Sequence, residues 1–165
     1  MKNVFLFLLF LGVALLTANC SSDDSDSVIV CPGIDIDYST AIKGIWEESK
    51  IVYLDEHKKL VKEIDAFNIH NCPLTRFEIK EQILIEHFSY QYDHHDSCQE
   101  GTTSHSYTLE NYQLVTEFHG DDYIDLTEYE IIGVDKSTLV LQRASTWYDH
   151  APEKTRFMKI VYLKK

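Results

Sequence analysis

The sequence is short of positive charge. Fifteen Lys and Arg face 27 Asp and Glu, a formal charge of −12 with His neutral. That balance excludes nucleic acid as an expected partner, because affinity for it comes mainly from basic side chains meeting phosphates. Catalytic signatures are missing too. There is no G-x-S-x-G, H-E-x-x-H, P-loop or Rossmann glycine pattern, and no serine or histidine is spaced to pair a nucleophile with a base and an orienting acid. The expectation is therefore no enzyme and no cofactor. No Cys-x-x-Cys occurs, so structural zinc is not expected. No apolar run approaches the roughly 20 residues of a membrane-spanning helix; the one at residues 4–18 is 15 long. What is present is a 44% apolar, 12% aromatic chain of 165 residues, too rich in core-forming side chains to be wholly disordered and sized for one ordinary domain.

Residues 1–20 differ from the rest. A weakly basic Met1-Lys2-Asn3 precedes the apolar run, as in a secretory signal. The run ends at Leu16-Thr17-Ala18-Asn19-Cys20, which resembles the lipobox of bacterial lipoproteins, with Thr17 and Asn19 departing from its commonest form. The resemblance implies cleavage after residue 19 and lipidation of Cys20. The polar Ser21-Ser22-Asp23-Asp24-Ser25-Asp26-Ser27 that follows cannot bury itself and reads as a tether. It is similar to the acidic export signal of Bacteroidota surface lipoproteins. Loss of residues 1–19 removes one Lys and no acid, leaving −13. The implied organisation is a signal peptide over 1–19, a tether over 20–40 and a domain over 41–165, anchored at the outer membrane or cell surface.

With Cys20 acylated, Cys31, Cys72 and Cys98 remain. Exported proteins keep disulfides. Cys31 lies in the tether beside Pro32-Gly33, whereas Cys72 and Cys98 lie within the body, so these two are expected to pair and Cys31 to stay free.

From Ile42 onward the hydrophobic period is mostly two. Strands are expected over 44–54, 74–80, 82–92, 103–109, 112–118, 123–134, 138–147 and 155–163, with Phe157, Val161 and Leu163 sharing one face. Residues 60–69 fit a short helix or an irregular strand. Eight strands on short links make an all-β, antiparallel up-and-down barrel, with a two-sheet sandwich as the alternative.

Gly44-Ile45-Trp46 opening the first strand is the G-x-W of lipocalins. Together with the Cys72/Cys98 spacing and the hairpin through Asp135-Lys136-Ser137, the chain resembles, over about residues 42–163, the small lipocalin-like domain of Bacteroidota surface lipoproteins. The resemblance implies that Trp46 plugs one barrel end, with Gly44 allowing close approach, beneath an Arg from a late strand. Arg143 and Arg156 are both candidates. The C-terminal helix of larger lipocalins is absent from the pattern, and Glu81-Gln82 stands where an Asp-Gly turn is common.

Two groups remain as site candidates. Asp93, His94, His95 and Asp96 put four potential metal ligands in one loop, with His105 and His119 as further imidazoles. Surface loops are commonly polar for solvation alone, so the expectation is no metal. The acid pairs Asp121-Asp122 and Asp23–Asp26 lack the spacing of a dedicated calcium loop. The aromatics Tyr53, Phe77, Phe88, Tyr90, Tyr107, Phe118, Tyr129 and Phe157 either line a cavity for a small hydrophobic ligand or fill the barrel. The functional expectation is a non-enzymatic, membrane-anchored barrel binding such a ligand or a surface partner. A cavity-free interaction or inhibitor module acting through acidic loops is the alternative.

Overall fold

The computed structural model describes residues 36–68, 72–91, 97–146, 149 and 151–165. A one-turn helix α1 (Tyr38–Ala41) is capped by Asp37, whose carboxylate accepts from the Ser39 amide. Nine strands follow: β1 (Gly44–Leu54), β2 (Leu60–Asp65), β3 (Arg76–Ile79), β4 (Ile83–Tyr90), β5 (Gln99–Glu110), β6 (Gln113–His119), β7 (Ile124–Val134), β8 (Thr138–Ala144) and β9 (Phe157–Lys164). All pairings are antiparallel, and β1 also pairs with β9, so eight strands close into a barrel and β2 is an extra strand. Residues 60–69, ambiguous in sequence, thus begin as a strand.

β2 and β3 share one edge of β1. β3 holds Gly44 to Glu47 and β2 holds Lys50 to Leu54. The handover falls at Glu48 and Ser49, where the Glu48 amide donates to the Thr75 carbonyl and the Ala66 amide to that of Ser49. On the opposite edge, the pairing with β9 slips between Glu48 and Lys50. Such a bulge resets the alternation of side chains. Trp46 and Glu48 face inward before it; Ile51 and Tyr53 face inward after it.

The core fills the end of the barrel where α1 lies. Ile42, Trp46, Ile79, Leu84, Leu114, Leu139, Leu141 and Tyr162 are essentially inaccessible. The Trp46 indole donates to the Ile42 carbonyl at 2.6 Å, meeting its polar requirement inside the core. The cation over the indole is neither Arg143 nor Arg156 but Lys164, with Nζ 4.9 Å from the ring centroid. Lys164 comes from the end of β9, opposite Trp46 in register, whereas Arg143 sits at the far end of β8 bonded to Asp149. Gly44 (φ +134°) is required here: a Cβ would stand 2.9 Å from Lys164 Cε. Ile36 and Tyr38 pack against this core, so the folded body starts ahead of residue 41.

The Cys72–Cys98 disulfide is present, with Cα atoms 5.7 Å apart, and ties the segment before β3 to the start of β5. Closing a 26-residue separation contributes roughly 3 kcal/mol on a chain-entropy account. Cys20, Cys31 and Trp147 lie outside the described residues. Because Trp46 is large, fully buried and hydrogen bonded, Trp46→Ala is expected to cost about 3–5 kcal/mol in chemical denaturation. A loss under about 1 kcal/mol, ordinary for exposed positions, would contradict its role as the plug.

Candidate functional site

Moving away from Trp46, the inner face changes from apolar to polar. Register places Glu48 opposite Tyr162, Glu86 opposite Thr103, and Arg143 opposite Met158. Each continues an inward series: Trp46 to Glu48 on β1, Leu84 to Glu86 on β4, Leu141 to Arg143 on β8. Arg143 makes two hydrogen bonds to Asp149, at 2.6 and 2.9 Å, and both side chains are mostly buried. Burial pushes Asp149 up, but Arg143 and the Thr146 amide together hold it below the usual carboxylate range.

No such partner holds Glu48. It is half-buried, and burial, reinforced by repulsion from Glu86 and only partly relieved by Arg143, pushes its pKa up to about 7. Glu86 has His105 Nε2 at 3.5 Å, and that nitrogen is buried without a hydrogen bond. Tyr129 is pushed up to about 12 by burial. Tyr162 is also raised, by burial and then by Glu48, and its hydroxyl has no partner.

This polar half opens sideways. β7 pairs with β6 along the whole of Ile124 to Glu130, and β8 pairs with β9 out to Ala144, yet the β7–β8 ladder stops at Glu130 and Gln142. Beyond that point the strands separate around a cleft of about 770 Å³. Its walls include Leu126, Thr127 and Tyr129 on one side and Gln142, Arg143, Ala144, Asp149 and Phe157 on the other. Tyr129 and Arg143 belong both to the cleft and to the polar cluster.

The aromatic residues expected along a cavity have separate fates. Tyr129 lines the cleft. Phe77 stacks on Tyr162 at 5.1 Å and Tyr53 is buried, so both belong to the core. Tyr107 donates to the Lys80 and Glu81 carbonyls and ties down the β3–β4 turn. Phe88 lies over Gly101, where a Cβ would fall 2.5 Å from the ring, and also contacts Tyr90, which is 37% exposed. Phe118 packs between His105 and Tyr123. Phe157 faces outward beneath Lys58, because Met158, Ile160 and Tyr162 supply the inner face of β9. It is nonetheless among the residues that line the cleft.

Asp93, His94, His95 and Asp96 lie outside the described residues. Among the described residues no group of three or more His, Cys, Asp or Glu is placed to hold a metal. His119 pairs with Glu117 instead. The sequence offers neither Glu48 nor Glu86 as a site candidate, and it offers Arg143 only as a cover for Trp46, not as the partner of Asp149. The structure shows why: Trp46 and Tyr53, an odd number apart, both enter the core, which no unbroken strand permits on one face, and the slip between Glu48 and Lys50 allows it.

No family model and no curated protein sequence matches the chain. Among solved structures it is similar to a lipocalin-like protein from Bacteroides uniformis, at 10% identity and a TM-score of 0.48, covering 76% of this chain and 99% of that one. It is also similar to an uncharacterized protein from Bacteroides eggerthii, at 10% identity and a TM-score of 0.46, covering 74% and 98% respectively. The likeness is one of fold.

Glu48 also sets a pH dependence. Its folded pKa of about 7 lies above the ordinary 4.5, so between these values the folded state holds the extra proton. Stability from this site is intact below about pH 4.5, falls as pH rises, and is lost above pH 7, by up to about 3 kcal/mol. Glu48→Gln is therefore expected to be more stable than the parent at pH 8, with the advantage vanishing toward pH 4 in denaturation series. A difference independent of pH would contradict the assignment.

Proposed function

We propose that the protein is a non-enzymatic binding protein, held at the outer membrane or cell surface through Cys20, that takes a small amphipathic ligand into the cleft between β7 and β8. The observation carrying this reading is the early end of the β7–β8 ladder, which leaves a cleft of about 770 Å³ bounded by apolar and polar side chains. Binding sites of this volume commonly combine an apolar wall with a few placed polar groups. Here Leu126, Ala144 and the Tyr129 ring offer the first and Arg143 with Asp149 the second. The chain enters the barrel at its Trp46 end, where Ile36 and α1 pack on the core.

Both parts are testable on the full-length protein. The neutral apolar dye N-phenyl-1-naphthylamine is expected to gain fluorescence on binding, and Thr127→Trp, which fills the cleft wall, is expected to abolish the gain while the melting transition remains cooperative. Cys20→Ser is expected to move the protein from membranes to the soluble fraction. Undiminished dye binding by Thr127→Trp would place the ligand elsewhere, and membrane retention of Cys20→Ser would remove the anchor.

A further inference from the structure

The early end of the β7–β8 ladder leaves main chain as well as side chains facing the cleft. In an antiparallel sheet successive residues direct their N–H and C=O groups alternately to the two neighbouring strands. The Ile131 amide donates to the Tyr112 carbonyl, and the Tyr123 carbonyl accepts from the Gly120 amide. The β6–β7 register is unbroken between these points, so odd-numbered residues of β7 bond toward β6. Even-numbered ones face β8. Glu130 meets Gln142 there, whereas Leu126 and Glu128 present their amides and carbonyls to the cleft they line. Among the described residues no main-chain group pairs with them on that side.

The other bank of the cleft keeps its own polar groups occupied. The Ser145 amide donates to the Arg156 carbonyl, so the main chain of Ala144 points the opposite way, toward the cleft. Its carbonyl accepts from Arg143 Nη1 at 3.0 Å, and the Thr146 amide donates to the Asp149 carboxylate at 2.7 Å. β7 is therefore the open edge. It also lacks the usual protection of free edges, which carry Lys, Pro or a bulge against pairing; instead Tyr123, Ile124 and Leu126 are each at least 60% exposed. The charge beside this edge is of one sign. Arg143 is held by Asp149 and Lys58 by Glu130, which leaves Asp125 and Glu128 without a cationic partner among the described residues.

We propose that the free edge of β7 pairs with a short extended peptide segment that carries a basic residue two positions from an apolar one. This rests on the binding role proposed above and gives the amphipathic ligand of the cleft as a peptide. The segment lies antiparallel to β7, as every pair in this sheet does. Its main chain takes the amides and carbonyls of Leu126 and Glu128. Tyr129 and Ile131 turn into the core, so Leu126 and Glu128 share the outer face of β7; there the apolar side chain covers Leu126 and the basic one meets Glu128. Recognition of this kind draws affinity from the main chain and specificity from alternate side chains. A second copy of this chain is a poor occupant, because its own β7 would bring acids of the same sign to Asp125 and Glu128.

Nitrogen-15 NMR titration of the full-length protein with the peptide acetyl-Lys-Thr-Val-Thr-Lys-amide decides the matter. The amides of Leu126 and Glu128 are expected to shift downfield and gain protection from hydrogen exchange. Those of Thr127 and Tyr129, already directed at β6, are expected to gain none. The same peptide N-methylated at its three central residues keeps its charge but loses main-chain donors, and is expected to bind at least about tenfold more weakly. A version with glutamate in place of both lysines is expected to bind more weakly too, and Glu128→Lys to reverse that preference. Equal binding of the N-methylated peptide, equal binding of the glutamate peptide, or protection at Thr127 in place of Leu126 and Glu128 would overturn the strand pairing. So would a failure of the lysine peptide to bind while the neutral dye still does, which leaves the binding role standing. Failure of the peptide and the dye together would overturn both.

Discussion

The pairing of β1 with β9 is the constraint on which the rest of the structure depends. It runs from Trp46 opposite Lys164 to Leu54 opposite Phe157. Closing the sheet removes the open edges a meander would otherwise present. It also brings Lys164 over the Trp46 ring and sets Tyr162 opposite Glu48 in register. The slip at Ser49 in the same ladder keeps both Trp46 and Tyr53 inward, and with them Glu48. One local irregularity therefore joins the apolar seal at one end of the barrel to the ionisable cluster beyond it.

The two halves of the interior do opposite things energetically. Around Trp46, Ile79, Leu139 and Leu141 the barrel buries apolar surface completely, and each such side chain contributes roughly 1.5–3 kcal/mol. Around Glu48, Glu86 and Tyr162 it keeps polar groups only partly matched, which costs stability. The Cys72–Cys98 bridge and the Trp46 seal offset that cost from outside the polar half. A surplus in one half makes an unsatisfied cluster in the other tolerable.

Strand positions were legible because period-two alternation survives wherever one face is solvated; Gly44–Leu54 appears in the fold with the bounds its sequence suggests. β5 is longer than its apolar pattern implied, since Gln99 to Thr102 are polar and Gly101 looks like a break. In the barrel that glycine makes room for the Phe88 ring. The inner face of β9 was not legible: Phe157, Val161 and Leu163 alternate with Met158, Ile160 and Tyr162, and both sets are apolar. The site was least legible of all. Glu48 and Glu86 look like ordinary solvent-facing strand charges until register places them inside, and the early end of the β7–β8 ladder has no marker in composition.

The barrel interior holds an acid, Glu48, whose charge burial and Glu86 disfavour. A carbon-13 NMR titration of the glutamate δ-carboxyl groups in the ligand-free protein, with Glu48 assigned by its loss in Glu48→Gln, tests this most directly. The expected Glu48 midpoint is near 7. A midpoint near the ordinary 4.5 would show that Glu48 is solvated, and the polar interior described above would not exist.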